Sequence, residues 1–322
     1  MNVFYLLHNV LLCYIYFKTN ALPDRDDPCV LISKEVHLNT QKIKAFMKAI
    51  ELGSLTAAGD ELGYTQPAMT QMMRSLESEI GFPLLIKSRN GVEPTMEAQL
   101  LIPTMRLILS DEERLGQEIG EILGMHKGTI RIGTFASTSI HWLPKVLDYF
   151  QNNYPDVIFD ITECSQSEMV EGIRSGSMDM ALMSSQGTED IDFIPISEEP
   201  MYAVFSDKYD LARYKSVPIV SLNDYPLIIE AFDQDTYAVF KKAGMVPAAK
   251  YFSKDCVAIL SMVKQGVGVS VLPALILEQF PGAYEYRLLD PPVNRTLGIG
   301  VRDRKNCGPL ARFIIRFIRE KI

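Results

Sequence analysis

The most restrictive feature of this chain is the pattern of small and apolar residues between Leu55 and Leu76. Two short helices that cross closely need a residue without bulk at the crossing, a glycine-like turn four residues later, and apolar residues facing inward from both. Gly59 stands at the crossing, Gly63 at the turn, and Ala58, Leu62, Tyr64, Met69 and Met72 take the inward positions. The flanks agree. Asn39 or Thr40 caps a preceding helix through Glu51, with Ile43, Phe46, Met47 and Ile50 at helical spacing and Gly53 at its end. Ser54 caps the next helix through Leu62, and Thr65 with Pro67 opens a third that runs to about Ile80 before Gly81. The outer face of this third helix carries Gln66, Thr70, Gln71 and Arg74, side chains that hydrogen-bond base edges or phosphates. In a helix-turn-helix the early residues of the second helix, here Thr65, Gln66 and Pro67 onward, enter the major groove of DNA. A small helical bundle with a polar face is the plainer alternative.

Past Gly81 the sequence Phe82 to Lys87, the polar tip Ser88-Arg89-Asn90-Gly91 and the piece Val92 to Thr95 read as a hairpin about an Asn-Gly turn. Beside a helix-turn-helix such a hairpin is a wing. Lys87 and Arg89 then sit where a wing touches phosphates or the minor groove, although solvated charges capping the domain would look the same.

Net charge does not help this reading. The chain carries a formal −8, whereas nucleic-acid binders usually hold a basic surplus. Position dilutes the sign, since residues 38–95 hold six Lys/Arg against six Asp/Glu. Charge therefore neither supports nor excludes DNA binding.

This stretch resembles the winged helix-turn-helix of the LysR-type transcriptional regulators. The resemblance rests on Gly53-Ser54, Ala57-Ala58, Thr65-Gln66-Pro67-Ala68, Leu76-Glu77, Gly81 and Thr95. Leu85 stands where the family usually has Phe, Lys87 where it has Arg, and Gln99 where a glycine is expected. The resemblance implies a duplex DNA operator as partner, a small-molecule effector, a homodimer or homotetramer, and RNA polymerase as a further candidate partner.

Met96 to Leu123 reads as one long helix. Leu101, Met105, Ile108, Leu115, Ile119 and Ile122 alternate steps of four and three, with Glu112 the polar member of the series. Such a seam gains little unless a second helix covers it, which predicts a homodimer; packing on its own domain is the alternative. Pro103 within the first turns costs the helix a hydrogen bond or kinks it.

After a polar break at residues 124–128, strands and helices alternate. Strands are expected over Thr129–Thr134, Val157–Glu163, Met178–Met183, Met201–Phe205, Leu227–Glu230, Lys250–Phe252 and Val269–Leu272. Helices are expected over 140–154, 167–175, 236–243 and 257–265. This order argues a parallel sheet with crossovers, and two such units make a two-lobed fold of the periplasmic-binding-protein kind. The run VKQGVGVSVLP resembles the effector domain of the same family. The expected fold is thus α+β overall. It comprises an apolar extension over 1–37, a winged helix-turn-helix over 38–95, a linker and dimerisation helix over 96–124, and an α/β effector domain of two subdomains over 129–322.

Ligands in open sheets lie beyond the carboxyl ends of the strands, near helix N-termini. Ser137, Thr138 and Ser139 follow the first strand of this half, and amides and hydroxyls there favour an anion. The resemblance adds Gln166 and Ser167 after the second strand, and Phe232, Asp233 and Thr236 from the opposite lobe. Against an anion stand Glu230, Asp233 and Asp235, whose charge suits a cationic or zwitterionic ligand. For each hydroxyl, plain helix capping is an equal alternative.

Other chemistry is not visible. Five cysteines are scattered without a CxxC, as in a reducing cytoplasm, and four histidines show no metal-ligand spacing. No nucleophile, base and orienting group form a set, and Gly266-Val267-Gly268 lacks the spacing of a dinucleotide loop, so neither an enzyme nor a cofactor is expected. Cys164 near the expected cleft leaves a redox sensor as a minor alternative. The apolar run Val3 to Phe17 is short for a membrane span, which needs about 20 residues, and has no basic residue before it. An export signal, an anchor and a start codon placed too early all fit, and the last is preferred because the sequence after Val36 reads as a cytoplasmic protein. The export reading would make the chain a solute-binding protein, for which a helix-turn-helix has no use.

Overall fold

The computed structural model describes residues 38–88, 91–124, 127–231 and 233–322; the side chains of Lys87 and Ser88 are also outside the description. The expectations about residues 1–37, Arg89 and Phe232 therefore lie outside the described residues. The chain divides into two compact units, one ending at Ile102 and one beginning at Pro103.

In the first unit, α1 (Thr40–Leu52), α2 (Leu55–Leu62) and α3 (Gln66–Ile80) are capped by the side chains of Asn39, Ser54 and Thr65 and closed by Gly53, Gly63 and Gly81. Their core is Ile43, Phe46, Ala49, Ala58, Met69, Met73 and Leu76. Met73 takes the inward place expected for Met72, which is half-buried. The apolar face of α3 follows a four-three step from Met69, and 73 and 76 satisfy it.

Gly59 is needed at the crossing because a Cβ there would lie 2.8 Å from the Tyr64 carbonyl oxygen and 3.0 Å from Met69 Cγ. Gly59→Ala is expected to lower the stability of this unit by about 1–3 kcal/mol through overpacking. Thermal unfolding would check it; an unchanged midpoint would disprove the close crossing.

Strands β1 (Leu85–Ser88) and β2 (Gly91–Pro94) form the antiparallel wing, with Lys87 opposite Val92. Glu77 of α3 anchors its start, its Oε1 accepting from the amides of Leu84 (2.8 Å) and Leu85 (3.2 Å). At the other strand the Val92 amide donates to Gly53 O at 2.9 Å. That approach excludes any side chain at Gly91, where φ is +129° and a Cβ would meet Gly53 O at 1.9 Å. Thr95 then caps α4 (Met96–Ile122), donating to Pro83 O and accepting from the Ala98 amide.

α4 continues through Pro103 into the second unit. There its charged flank docks on its own domain. Arg131 makes a two-pronged bond to Glu113 (2.7 and 3.1 Å), Arg302 pairs with Asp111 (3.1 Å), and Arg312 pairs with Glu121 (3.3 Å). The apolar seam turns away in part. Met105 is buried, but Leu115, Ile119 and Ile122 are 56%, 50% and 84% exposed.

The rest of the second unit runs β3 (Gly128–Thr134), α5 (Ala136–His141), α6 (Leu143–Asn153), β4 (Val157–Glu163), α7 (Gln166–Ser175), β5 (Met180–Ser184) and β6 (Asp192–Phe205). It continues with β7 (Val217–Pro218), a 3₁₀ turn (Ile219–Asp224), β8 (Leu227–Glu230), α8 (Gln234–Lys242), β9 (Ala249–Ser253), α9 (Cys256–Lys264) and β10 (Val269–Pro273). Last come α10 (Ala274–Gln279), β11 (Glu285–Asp290), β12 (Asn294–Val301) and α11 (Pro309–Lys321). The strands follow the order β4-β3-β5-β12-β6-β10-β8-β9, with β11 also on β6. β3 is parallel to β4 and β5, and β8 to β9 and β10, which are the two wound lobes expected. β6 joins them, pairing β12 over its first part and β10 and β11 over its second, antiparallel throughout.

The sheet is therefore mixed rather than wholly parallel. The first part of β6 escaped sequence reading because Pro195 and Pro200 argue against a strand. The structure accommodates Pro195 beside a register shift opposite Leu297 and Gly298. Each lobe has its own core. One gathers Ile130, Ile132, Phe150, Leu182, Ile299 and Ile314, and the other gathers Phe205, Leu227, Ile229, Phe240 and Val269. The helix expected over 140–154 is two helices, α5 and α6, meeting at Trp142.

Candidate functional site

Two surfaces gather the side chains singled out above. On the first unit, α3 buries Met69, Met73 and Leu76 and presents its other flank outward. Thr65, Gln66, Pro67, Gln71 and Arg74 are exposed and Thr70 is half-buried. Thr65 caps the helix, accepting from the Ala68 amide, and the Thr70 hydroxyl donates to Gln66 O at 3.0 Å. Each hydroxyl thus has a structural duty while its oxygen stays near the surface. Gln66, Thr70 and Arg74 follow one another at four-residue steps, one helical turn each, with Gln71 beside them, a spacing that follows base edges along a groove.

The second surface is a cleft between the lobes. It is a cavity of about 70 Å³ lined by residues that include Phe135, Ser137, Gln166, Glu230, Asp233 and Arg295. Its centre is Arg295, which the sequence reading missed. Arg295, the second residue of β12, lies directly opposite Glu199 of β6, so the two side chains share one face of the crossing strands. Nε of Arg295 donates to Glu199 Oε2 at 2.7 Å, Nη2 to Ser137 Oγ at 2.7 Å, and Nη1 lies 3.5 Å from Asp235 Oδ2. The guanidinium also sits 5.1 Å from the ring centre of Phe135. Glu199 Oε1 accepts from the Leu275 amide at 2.6 Å. Arg295, Glu199 and Asp235 are only 8%, 4% and 6% exposed. Burial works against the charge of Arg295, but Glu199 and Asp235 outweigh it and hold the guanidinium above its ordinary range. Burial likewise raises Asp235, with Arg295 offsetting part of the rise. One guanidinium thereby links Ser137 of one lobe, Asp235 of the other and the strand between them. A signal for it existed, an arginine near the start of a strand, but its acidic partner lies 96 residues away.

The remaining expected residues divide. Gln166 lines the cleft, and its amide is fastened by bonds from Nε2 to the carbonyls of Ser184 and Gln186, each 2.7 Å. Asp233 lines it too while capping α8, accepting from the Asp235 and Thr236 amides at 3.1 Å. Thr236 and Thr138 turn inward. Thr236 bonds Asp233, and Thr138, fully buried, bonds Thr134, Phe135 O and Leu182 O. Ser167 is exposed beside Ser165 and outside the lining. Glu230 ends β8 at the cavity wall. Burial, then the neighbouring Asp233, pushes its carboxyl up to about 8.

Cys164 and Cys256 both line the cavity, so the second cysteine absent from the neighbouring sequence is supplied by the fold. Burial raises their thiols to about 11 and about 12, which keeps both in the unreactive protonated form at neutral pH. Among the described residues no group of His, Cys, Asp or Glu could hold a metal ion, and no helix is long and apolar enough to cross a membrane.

Comparison with known proteins identifies both domains. Residues 40–99 match the bacterial regulatory helix-turn-helix model of the lysR family, and residues 124–322 match the LysR substrate binding domain. The chain is 26% identical over 284 residues to the uncharacterised HTH-type transcriptional regulator YvbU of Bacillus subtilis, covering 87% of this chain and 97% of that protein. It is also 26% identical over 289 residues to the transcriptional dual regulator GltC of the same organism, covering 87% and 96%. Among solved structures, full-length OxyR from Pseudomonas aeruginosa superposes with a TM-score of 0.70 at 19% identity, over 88% of this chain and 95% of that one. The LysR family regulator CbnR, solved in complex with its target DNA, gives 0.60 at 21% identity, over 87% and 100%. Helix-turn-helix, mixed two-lobed domain and family models coincide: this chain belongs to the LysR family of transcriptional regulators.

Proposed function

We propose that this chain is a cytoplasmic regulator that binds a specific DNA operator through α3 and adjusts that binding to a small molecule held between its two lobes. The observation that carries the reading is the outward flank of α3, where Gln66, Gln71 and Arg74 stand exposed above a buried apolar face. Thr65, Pro67 and Thr70 shape the start of that helix, and Lys87 and Arg89 of the wing are assigned to the flanking phosphates. CbnR, of the same fold, is solved in complex with its target DNA, which favours the same class of partner here.

Two copies are expected to act together. Leu115, Ile119 and Ile122 form an apolar row that the chain's own charged contacts leave uncovered, as a helix does when a second helix is to pack on it. Pairing sets two recognition helices on a near-palindromic operator, offsetting the modest charge of each domain. A pair of dimers would make a tetramer, and RNA polymerase is the candidate recipient of the signal. The effector acts by binding one arrangement of the lobes better than the other, and α4 carries the difference to the DNA-binding domains. No catalytic role is assigned to any residue.

Gel-shift titration of the full chain on an operator fragment at fixed salt tests the reading. Gln66→Ala and Arg74→Ala are each expected to weaken specific binding by about 1–3 kcal/mol, or roughly 5- to 150-fold. Unchanged affinity in both variants would reject the assignment of α3.

A further inference from the structure

We propose that the effector carries a positively charged amine or guanidine group and that Glu230 is the side chain that selects it; the proposal rests on the regulator reading above. It begins from charge. Arg295 is the one cation among the described residues lining the cavity, and it is already answered by two carboxylates, Glu199 and Asp235. That trio has a net charge of −1 when ionised, and Asp233 adds another negative charge at the same wall. A carboxylate or phosphate ligand would have to displace a buried acid from Arg295 to find a partner, which leaves that acid uncompensated in desolvated surroundings.

Two neutral side chains that would favour an anion are engaged as well. Ser137 Oγ receives Arg295 Nη2, and the Gln166 amide hydrogens go to the Ser184 and Gln186 carbonyls. The helix behind Ser137 has only six residues, too short for a useful dipole.

Glu230 is the complementary feature. It stands at the carboxyl end of β8, where ligands of open sheets gather. Its half-buried carboxyl faces the cavity with no hydrogen-bond or ion-pair partner among the described residues. A carboxyl so placed holds its proton at neutral pH, until a cation arrives to stabilise the charged form. Phe135, Pro273 and Ile276 supply an apolar wall for the carbon chain of such a ligand. The cavity is small, about 70 Å³, against roughly 10–15 Å³ for one water on this measure. A compact aliphatic amine suits it.

Isothermal titration of the full chain with 1,4-diaminobutane and with succinate, its dianionic counterpart, tests the proposal, with operator binding followed on the same samples. The expected result is saturable binding of the diamine and none of succinate at equal concentration. Glu230→Gln keeps operator binding and weakens the diamine roughly 10- to 100-fold, the loss of a charge-assisted hydrogen bond. Equal or tighter binding of succinate, undiminished diamine affinity in Glu230→Gln, or no binding of either probe by a protein that still grips its operator would each overturn the amine assignment alone. A chain that binds neither probe nor any operator would overturn the regulator reading with it.

Discussion

Arg295→Ala is expected to destabilise the effector domain by about 3–5 kcal/mol, the largest effect of any single replacement considered. The guanidinium lies between two carboxylates that are only 4% and 6% exposed, Glu199 and Asp235. Removing it leaves both without their counter-charge where little water reaches them, and the Ser137 hydroxyl loses its donor. The cost comes chiefly from stranding the acids, not from the worth of the ion pairs, since buried pairs roughly balance their own desolvation. Neutralising the opposite residue should therefore recover part of the loss, and Arg295→Met combined with Glu199→Leu is expected to be more stable than Arg295→Ala. Urea unfolding at pH 7 measures both. A loss below about 1 kcal/mol for Arg295→Ala, or a double variant less stable than the single one, would show that the trio is not the buried tie described.

Raising the pH from 5 to 8 is expected to weaken the effector-free protein by on the order of 3 kcal/mol through Glu230. Its carboxyl is moved from the ordinary 4.5 to about 8, first by burial and then by Asp233; Asp255 and Asp235 add to the rise and Arg295 opposes it. The folded chain thus keeps a proton that the unfolded chain releases above pH 4.5. Stability from this group is complete below the unfolded value and drains away as the pH climbs toward 8. Asp235, also raised by burial, pulls in the same direction. Glu168 and Asp303, held low by hydrogen bonds from Ser165 and Asn306, act only at more acid pH and leave this window alone. Glu230→Gln should flatten most of the slope. Urea unfolding of both proteins from pH 5 to 8 gives the comparison, and a wild-type stability that stays level or rises would refute the burial argument.

The helix-turn-helix was readable because its requirements are local. Gly59 and Gly63 lie four residues apart, the caps Ser54 and Thr65 adjoin the helices they start, and the outward row from Gln66 follows from a period of 3.6 residues. Even the error there was one of phase, Met72 for Met73 on a helix with several apolar candidates. The strands Val157–Glu163 and Leu227–Glu230 were visible for the same reason, as short apolar runs between turns.

The cleft was legible only as a region. Ser137, Gln166 and Asp233 were picked from positions after strands, and the structure brings all three to one cavity. It turns Thr138 and Thr236 away, because each hydroxyl finds a partner inside its own turn. Nothing in the chain order distinguishes a hydroxyl that caps from one that faces a ligand.

By itself the sequence determined what short-range sterics and periodicity dictate: three capped helices with a polar outer row, a wing, a long seam and alternating strands and helices. Only the tertiary structure decided the sign and tightness of the cleft. Arg295 meets Glu199 across a strand pair 96 residues apart and Asp235 from the opposite lobe 60 residues apart. Electrostatic balance depends on distance in space and on exclusion of water, and chain order specifies neither until the crossing strands have placed those groups side by side.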